Sequence, residues 1–343
     1  MGLTEFWFVV MAVLFLGFFV LEGFDFGVGM LMAFFGRTAK GDRDKHRRAA
    51  LNTIGPVWDG NEVWLITAAG AMFAAFPDWY ATMFSGLYLP LLVILFAMIL
   101  RIVAIEWRGK IDDPHWRRWA DIGIAVGSWL PAFLWGAVFA MLVRGLPVDA
   151  DKQVHLSIGE VFNAYTVLGG LAAGGLFLLH GAVFVALKTD GAVRLDAFRF
   201  ATRLSLPVTA LMAGFGLWTQ LAYGKDWTWI VVGIGAVATL AALARIWSGS
   251  GEGWAFVHTT TVVASAVILL FGSLYPDLLP STLNPDWSLT IYNASSSPYT
   301  LKVMSWAALI FAPLVMLYQG WTYWVFRKRI SADRIPAPAG LSR

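Results

Sequence analysis

The chain has 343 residues, of which 58% are apolar and 14% charged, with a net charge of +3 and no cysteine. That apolar share exceeds the roughly 45–50% of soluble domains and, with a mean hydropathy of +0.66, places the chain in a membrane. Lack of cysteine excludes disulfides, thiolate metal centres, iron–sulfur clusters and cysteine nucleophiles. The basic residues lie in short loops, where they set orientation, so no nucleic-acid partner is expected.

Apolar segments follow one another at residues 5–35, 48–76, 80–107, 116–143, 158–187, 200–223, 227–247, 254–274 and 301–326. A hydrocarbon core takes about 20 residues per helix, so the expected fold is all-α: a polytopic membrane protein of about nine transmembrane helices, forming a single domain over residues 1–330. The first segment has no basic region ahead of it and outruns a signal peptide, so it is read as a retained helix. Connections after the first, third and fifth segments carry Arg37, Lys40, Arg43, Lys45 and Arg47, then Arg108, Lys110, Arg117 and Arg118, then Lys188, Arg194 and Arg199. The tail adds Arg327, Lys328 and Arg329, whereas the opposite side has Arg144, Lys152, Lys225 and Lys302. The positive-inside bias then places the N-terminus outside and the C-terminus in the cytoplasm. Residues 275–300, rich in Pro, Asn and Ser, read as an outer loop. Residues 331–343, with Pro336 and Pro338, are expected to form a disordered cytoplasmic tail.

Acidic residues inside these segments carry the chemistry. Glu22 and Asp25 stand three apart on the first segment, and Asp59 and Glu62 repeat that spacing on the second, so each pair shares a helix face. A carboxylate at bilayer depth is costly unless paired, hydrated or protonated, and is normally kept for a task. Counted at 1.5 Å per residue, Asp25 and Asp59 lie roughly 15–16 Å inside their helix ends, which predicts one buried cluster between neighbouring antiparallel helices. Such a cluster can pass protons between waters. The competing reading makes these acids hydrogen-bonded structure, with Trp58 and Asn61 as neighbours of Asp59. Arg101 and Glu106, near the end of the third segment, are expected to snorkel or to form a local ion pair.

His46, His115 and His155 fall in loops or helix ends, leaving His180 and His258 as candidates for axial haem ligands. A bonded structural role is the expectation for both. No haem, other cofactor or metal site and no catalytic residue are expected in this chain, and no Glu-x-x-His spacing occurs.

The stretches GFDFGVGML (23–31), GPVWDGNEVWLITAAGAMFAAFP (55–77), FSGLYLPL (84–91) and SLTIYNASSSPYTLKVMSWAALIFAPLVMLYQGWTYWVF (288–326) together resemble subunit II of the bacterial cytochrome bd quinol oxidases. The WDGNEVWLI run is the most specific part. This resemblance implies a heterodimer in the bacterial cytoplasmic membrane whose partner, subunit I, binds two haems b and one haem d and oxidises quinol. Subunit II, similar in architecture, binds no haem. The complex reduces dioxygen to water in the aerobic respiratory chain with protons taken from the cytoplasm. Residues matching Asp25 and Asp59 line a water-filled proton route at the contact with subunit I, so the resemblance implies Asp59 as central relay and Asp25 as its cytoplasmic approach. Trp64, matching the same motif, falls in a region for oxygen access, with Trp58 and Asn61 beside it at the interface. The inclusion of Glu62 and Glu22 in the path is an inference from their spacing. Small single-helix accessory subunits, membrane lipid and quinone complete the expected partners. The alternatives are a proton-coupled transporter loading Asp25, Asp59 and Glu62, and a purely structural subunit.

Overall fold

The computed structural model describes residues 2–35 and 43–335. Helix α1 (Leu3–Leu31) is followed by α2 (Arg43–Ile54), α3 (Trp58–Ala75), α4 (Pro77–Gly86) and α5 (Tyr88–Trp107). Then come α6 (Pro114–Arg144), the single turn α7 (Ile158–Val161), α8 (Ala164–Lys188), α9 (Gly191–Tyr223), α10 (Thr228–Ser248), α11 (Glu252–Leu274) and α12 (Pro298–Val325). The strands β1 (Asp277–Leu279) and β2 (Leu289–Thr290) pair antiparallel between α11 and α12, with Leu278, Leu279 and Leu289 buried.

Among the described residues, eight helices are long and apolar enough to cross a membrane: α1, α5, α6, α8, α9, α10, α11 and α12. The expected count is about nine, and the second segment is the one not among these eight. The second segment, read as one helix over 48–76, is interrupted at Gly55–Val57. Pro56 has no N–H to give a helix and disfavours the helical conformation at Gly55. The 18 residues of α3 that remain carry Asp59, Asn61 and Glu62, too polar a set for a span by composition. Polar α2 is instead held at the base by charge. Arg108 Nε donates to Asp121 Oδ1 at 2.6 Å and its Nη2 to Asp44 Oδ1 at 2.8 Å, while Arg47 Nη1 donates to Asp121 Oδ2 at 2.8 Å. Asp121 thus ties α2 and the end of α5 to α6. Burial leaves Arg108, just beyond α5, short of water, but its bonds to Asp121 and Asp44 outweigh that and raise its pKa. Arg37 and Lys40, used for orientation, lie outside the described residues.

The core runs along α1, α6, α8 and α11. Phe15, Phe18 and Phe19 of α1 meet Trp135 and Phe139 of α6 with ring centroids 5.0–6.3 Å apart. Helices α1 and α8 cross backbone to backbone: a Cβ on Gly181 would stand 2.5 Å from Gly27 Cα, so glycine at both positions sets the approach. Helix α12 lies outermost, with only Leu301 buried. It is anchored where Trp7 Nε1 donates to Leu301 O at 3.2 Å and to Ser305 Oγ at 3.1 Å.

The tail departs from the expected disorder at its start. Ala332–Arg334 form a 3-10 turn, Ile335 is buried, and Ile330 N donates to Lys188 O at 2.8 Å. Residues 336–343 lie outside the described residues.

Candidate functional site

Helix α1 supplies Glu22 and Asp25, both fully buried. Arg101 of α5 is equally enclosed and donates through Nη1 to Glu22 Oε1, forming an ion pair with both side chains at 0% exposure. Its guanidinium also sits over the Phe26 ring, 4.8 Å from the centroid. Room for it comes from Gly127 of α6, where a Cβ would stand 2.6 Å from Arg101 Cβ.

Arg101 therefore neither snorkels nor pairs with Glu106, which is exposed. Depth explains the correction. At 1.5 Å per residue Arg101 lies about 9 Å inside the end of α5, and Asp25 about 9 Å inside the end of α1. The cation is level with the acids, and pairing inside is the alternative to an unpaired buried charge.

Helix α3 adds Asn61, also fully buried. Its Nδ2 donates to Asp25 Oδ2 at 2.7 Å, and its Oδ1 accepts from Tyr323 OH at 2.6 Å and Gln319 Nε2 at 3.3 Å. Trp64 Nε1 donates to Gln319 Oε1 at 2.9 Å, and the indole packs on Gly17. One asparagine thus joins α1, α3 and α12 through polar bonds.

The expected four-acid cluster is incomplete. Glu62 is half-buried at its edge, while Asp59 is exposed. At 3.6 residues per turn, positions 59 and 61 differ by about 200° around the helix, so with Asn61 facing α1, Asp59 faces away. The helix break before Trp58 also puts Asp59 in the first turn of α3, where the helix dipole favours a carboxylate. Trp58 is half-buried and, with Arg48, Glu106 and Lys110, lines a cleft of about 360 Å³ at the base of α3.

Glu22 Oε2, Asp25 Oδ1 and Glu62 Oε1 are buried with no protein partner, as are Arg101 Nε and Nη2. A buried polar atom left unpaired costs about 1–3 kcal/mol. Three carboxyls, those of Glu22, Asp25 and Glu62, thus stand about the one guanidinium of Arg101.

Arg101, Gln319 and Tyr323 are cluster members that the sequence reading missed. Their signals were present: an arginine one and a half turns inside an apolar helix, and two polar residues four apart on one face of α12. His180, on α8, has both ring nitrogens engaged, Nδ1 lying 2.7 Å from Thr259 Oγ1 and Nε2 donating to Val20 O at 3.2 Å. His258 is half-exposed and stacks on Trp254 at 6.1 Å.

These features define a polytopic helical membrane protein with an enclosed ion pair and surplus carboxyls. The chain belongs to the family of cytochrome bd terminal oxidase subunit II, whose model matches residues 3–326. It is 42% identical over 334 residues to cytochrome bd ubiquinol oxidase subunit 2 of Bacillus subtilis, covering 96% of this chain and 97% of that protein. It is 32% identical over 371 residues to cytochrome bd-I ubiquinol oxidase subunit 2 of Escherichia coli K12, covering 96% and 95%. A chain of the bd oxidase structure from Geobacillus thermodenitrificans superimposes with a TM-score of 0.76 at 20% identity, covering 96% of this chain and all of that one. That likeness concerns the fold. Family membership sets aside the transporter alternative.

Proposed function

We propose that this chain is the haem-free subunit of a bacterial quinol:dioxygen oxidoreductase, holding a haem-bearing subunit I and supplying it with cytoplasmic protons through carboxyls. Subunit I would carry the two haems b and the haem d, and the complex would sit in the cytoplasmic membrane with the basic loops inside. Family membership supports the oxidase, and the named relatives act on ubiquinol. What supports a haem-free chain is that His180, the most deeply buried histidine, has both ring nitrogens engaged, by Thr259 and by Val20.

The observation that carries the proton path is the sequence of exposure from Asp59 (exposed) through Glu62 (half-buried) to Asp25 (fully buried). Asp25 keeps one oxygen on Asn61 and leaves the other free. A proton reaching that oxygen can be passed on, because Asn61 holds the carboxyl in place without neutralising it. Glu22 has a different part. Its ion pair with Arg101 favours a structural role, so the relay rests on Asp25, Glu62 and Asp59. Asp59 and Trp58 lie on a surface suited to contact with subunit I, and Trp64, packed on Gly17, seals the relay on the α12 side.

Asp59→Asn in the assembled complex tests the path. Haem absorbance should be unchanged while quinol-driven oxygen consumption falls by at least tenfold. Full turnover would leave only the scaffolding role.

A further inference from the structure

A second feature borders the carboxyl cluster at Tyr323, where α1, α8, α11 and α12 leave a groove of about 500 Å³. Its inner wall is apolar, with Phe24, Phe184, Leu187 and Phe256 lining it. The Phe24 and Phe184 rings stack at 3.9 Å, and His180 stacks on Phe256 at 4.7 Å, so the wall is fixed. Its mouth is cationic, with Lys188, Arg327 and Arg329 on the lining.

These charges are only partly answered. Lys188 Nζ donates to the carbonyl of Phe326, and Arg327 Nη1 donates to Trp324 O at 2.6 Å with its guanidinium 4.3 Å above the Trp324 ring. Neither contact supplies an anion. Arg329 shares Glu252, off the lining, with Arg194, at 3.5 Å from its own Nη2. Among the described residues neither Lys188 nor Arg327 pairs with a carboxylate. Thr260 Oγ1, on the same lining, is buried without a partner.

We propose that this groove holds one anionic glycerophospholipid, its acyl chain along the aromatic wall and its phosphate between Lys188, Arg327 and Arg329. The chemistry selects this occupant. A soluble anion would leave the apolar wall in water, and a neutral amphiphile would leave the cations unanswered. Basic pockets between helices at the cytoplasmic surface are where anionic headgroups gain most. One wall of the groove is Tyr323, whose hydroxyl reaches Asn61, so the lipid also shields that bond from the bilayer.

The test uses the purified two-subunit complex, delipidated, reconstituted in nanodiscs with phosphatidylglycerol or with phosphatidylcholine, and read by native mass spectrometry after detergent release. Wild type should retain one phosphatidylglycerol and no phosphatidylcholine. Combining Lys188→Gln, Arg327→Gln and Arg329→Gln should lower retention at least tenfold. Leu187→Trp, which fills the apolar wall and keeps every charge, should do the same, while Lys188→Arg should retain the lipid. Should the triple variant not assemble, the Leu187→Trp and Lys188→Arg complexes decide the matter. Equal retention of the two lipids, unchanged retention in Leu187→Trp, displacement by millimolar inorganic phosphate, or a neutral quinone in place of the lipid would each overturn the proposal.

Discussion

Removing one half of the enclosed ion pair is the most informative perturbation of the fold. Glu22→Gln keeps the shape of the side chain but leaves Arg101, a group that does not deprotonate in proteins, at 0% exposure. Breaking a buried pair on one side costs about 3–5 kcal/mol. Asp25 and Glu62 remain as nearby counter-charges, so the low end, about 3 kcal/mol, is expected. At about 2.1 cal/mol/K of unfolding entropy per residue, a chain of 343 residues gains roughly 0.7 kcal/mol/K, so the melting temperature should fall by roughly 4 °C. Adding Arg101→Met removes both charges and should restore stability to within about 1 kcal/mol, as replacement of buried pairs by apolar residues commonly does. Scanning calorimetry or a fluorescence melt of the four members of this cycle reads the coupling directly. A drop of less than 2 °C in Glu22→Gln, or a double variant no more stable than the single, would refute the reasoning.

Other outcomes follow from the same geometry. Asn61→Leu strips partners from both Asp25 and Tyr323 and should destabilise the complex by about 1–3 kcal/mol, with turnover falling more than in Tyr323→Phe, which removes one bond. Gly181→Val places a side chain against Gly27 and should lower the yield of assembled complex severalfold in membranes, whereas Gly233→Ala on α10, with no atom within 4 Å of its Cβ, should leave yield unchanged. In the connection between α6 and α7, hydrogen bonds from His155 and from the backbone of Gln153 and Asp151 hold the Asp149 carboxyl below its ordinary value of 3.8. A lowered folded pKa contributes stability above the unfolded value and loses it as pH falls through the folded one. Amide exchange at Asp151 and Gln153 should therefore stay slow at about pH 5 and quicken below the ordinary carboxylate range.

Much of the architecture was legible because hydropathy marks spans directly: each apolar segment corresponds to a helix or a pair of helices in the same order. The breaks were harder. Pro56 ends α2, yet Pro131, Pro207 and Pro313 stay within α6, α9 and α12, so proline alone does not mark an interruption. The depth expected for Asp59 differs from that observed because of that break. Depth was counted along one continuous helix, and the face of α3 was assigned from the carboxyl pair when Asn61, between them, is the residue turned inward. Arg101 reads as snorkelling or locally paired from its place near the end of the third segment, although its depth matches that of Asp25. In each case, a distance along one helix was readable, but the rotation of that helix against its neighbour was decided by packing.

The central claim, that protons for a partner's oxygen chemistry travel by way of this chain, is tested most directly with Asp25→Asn in proteoliposomes. Alkalinisation of the compartment facing the basic loops would be followed with a pH-sensitive dye during quinol oxidation. The account predicts an unaltered haem spectrum and a fall in proton uptake and oxygen consumption together, by at least tenfold. Uptake at the wild-type rate in a fully assembled Asp25→Asn complex would contradict it.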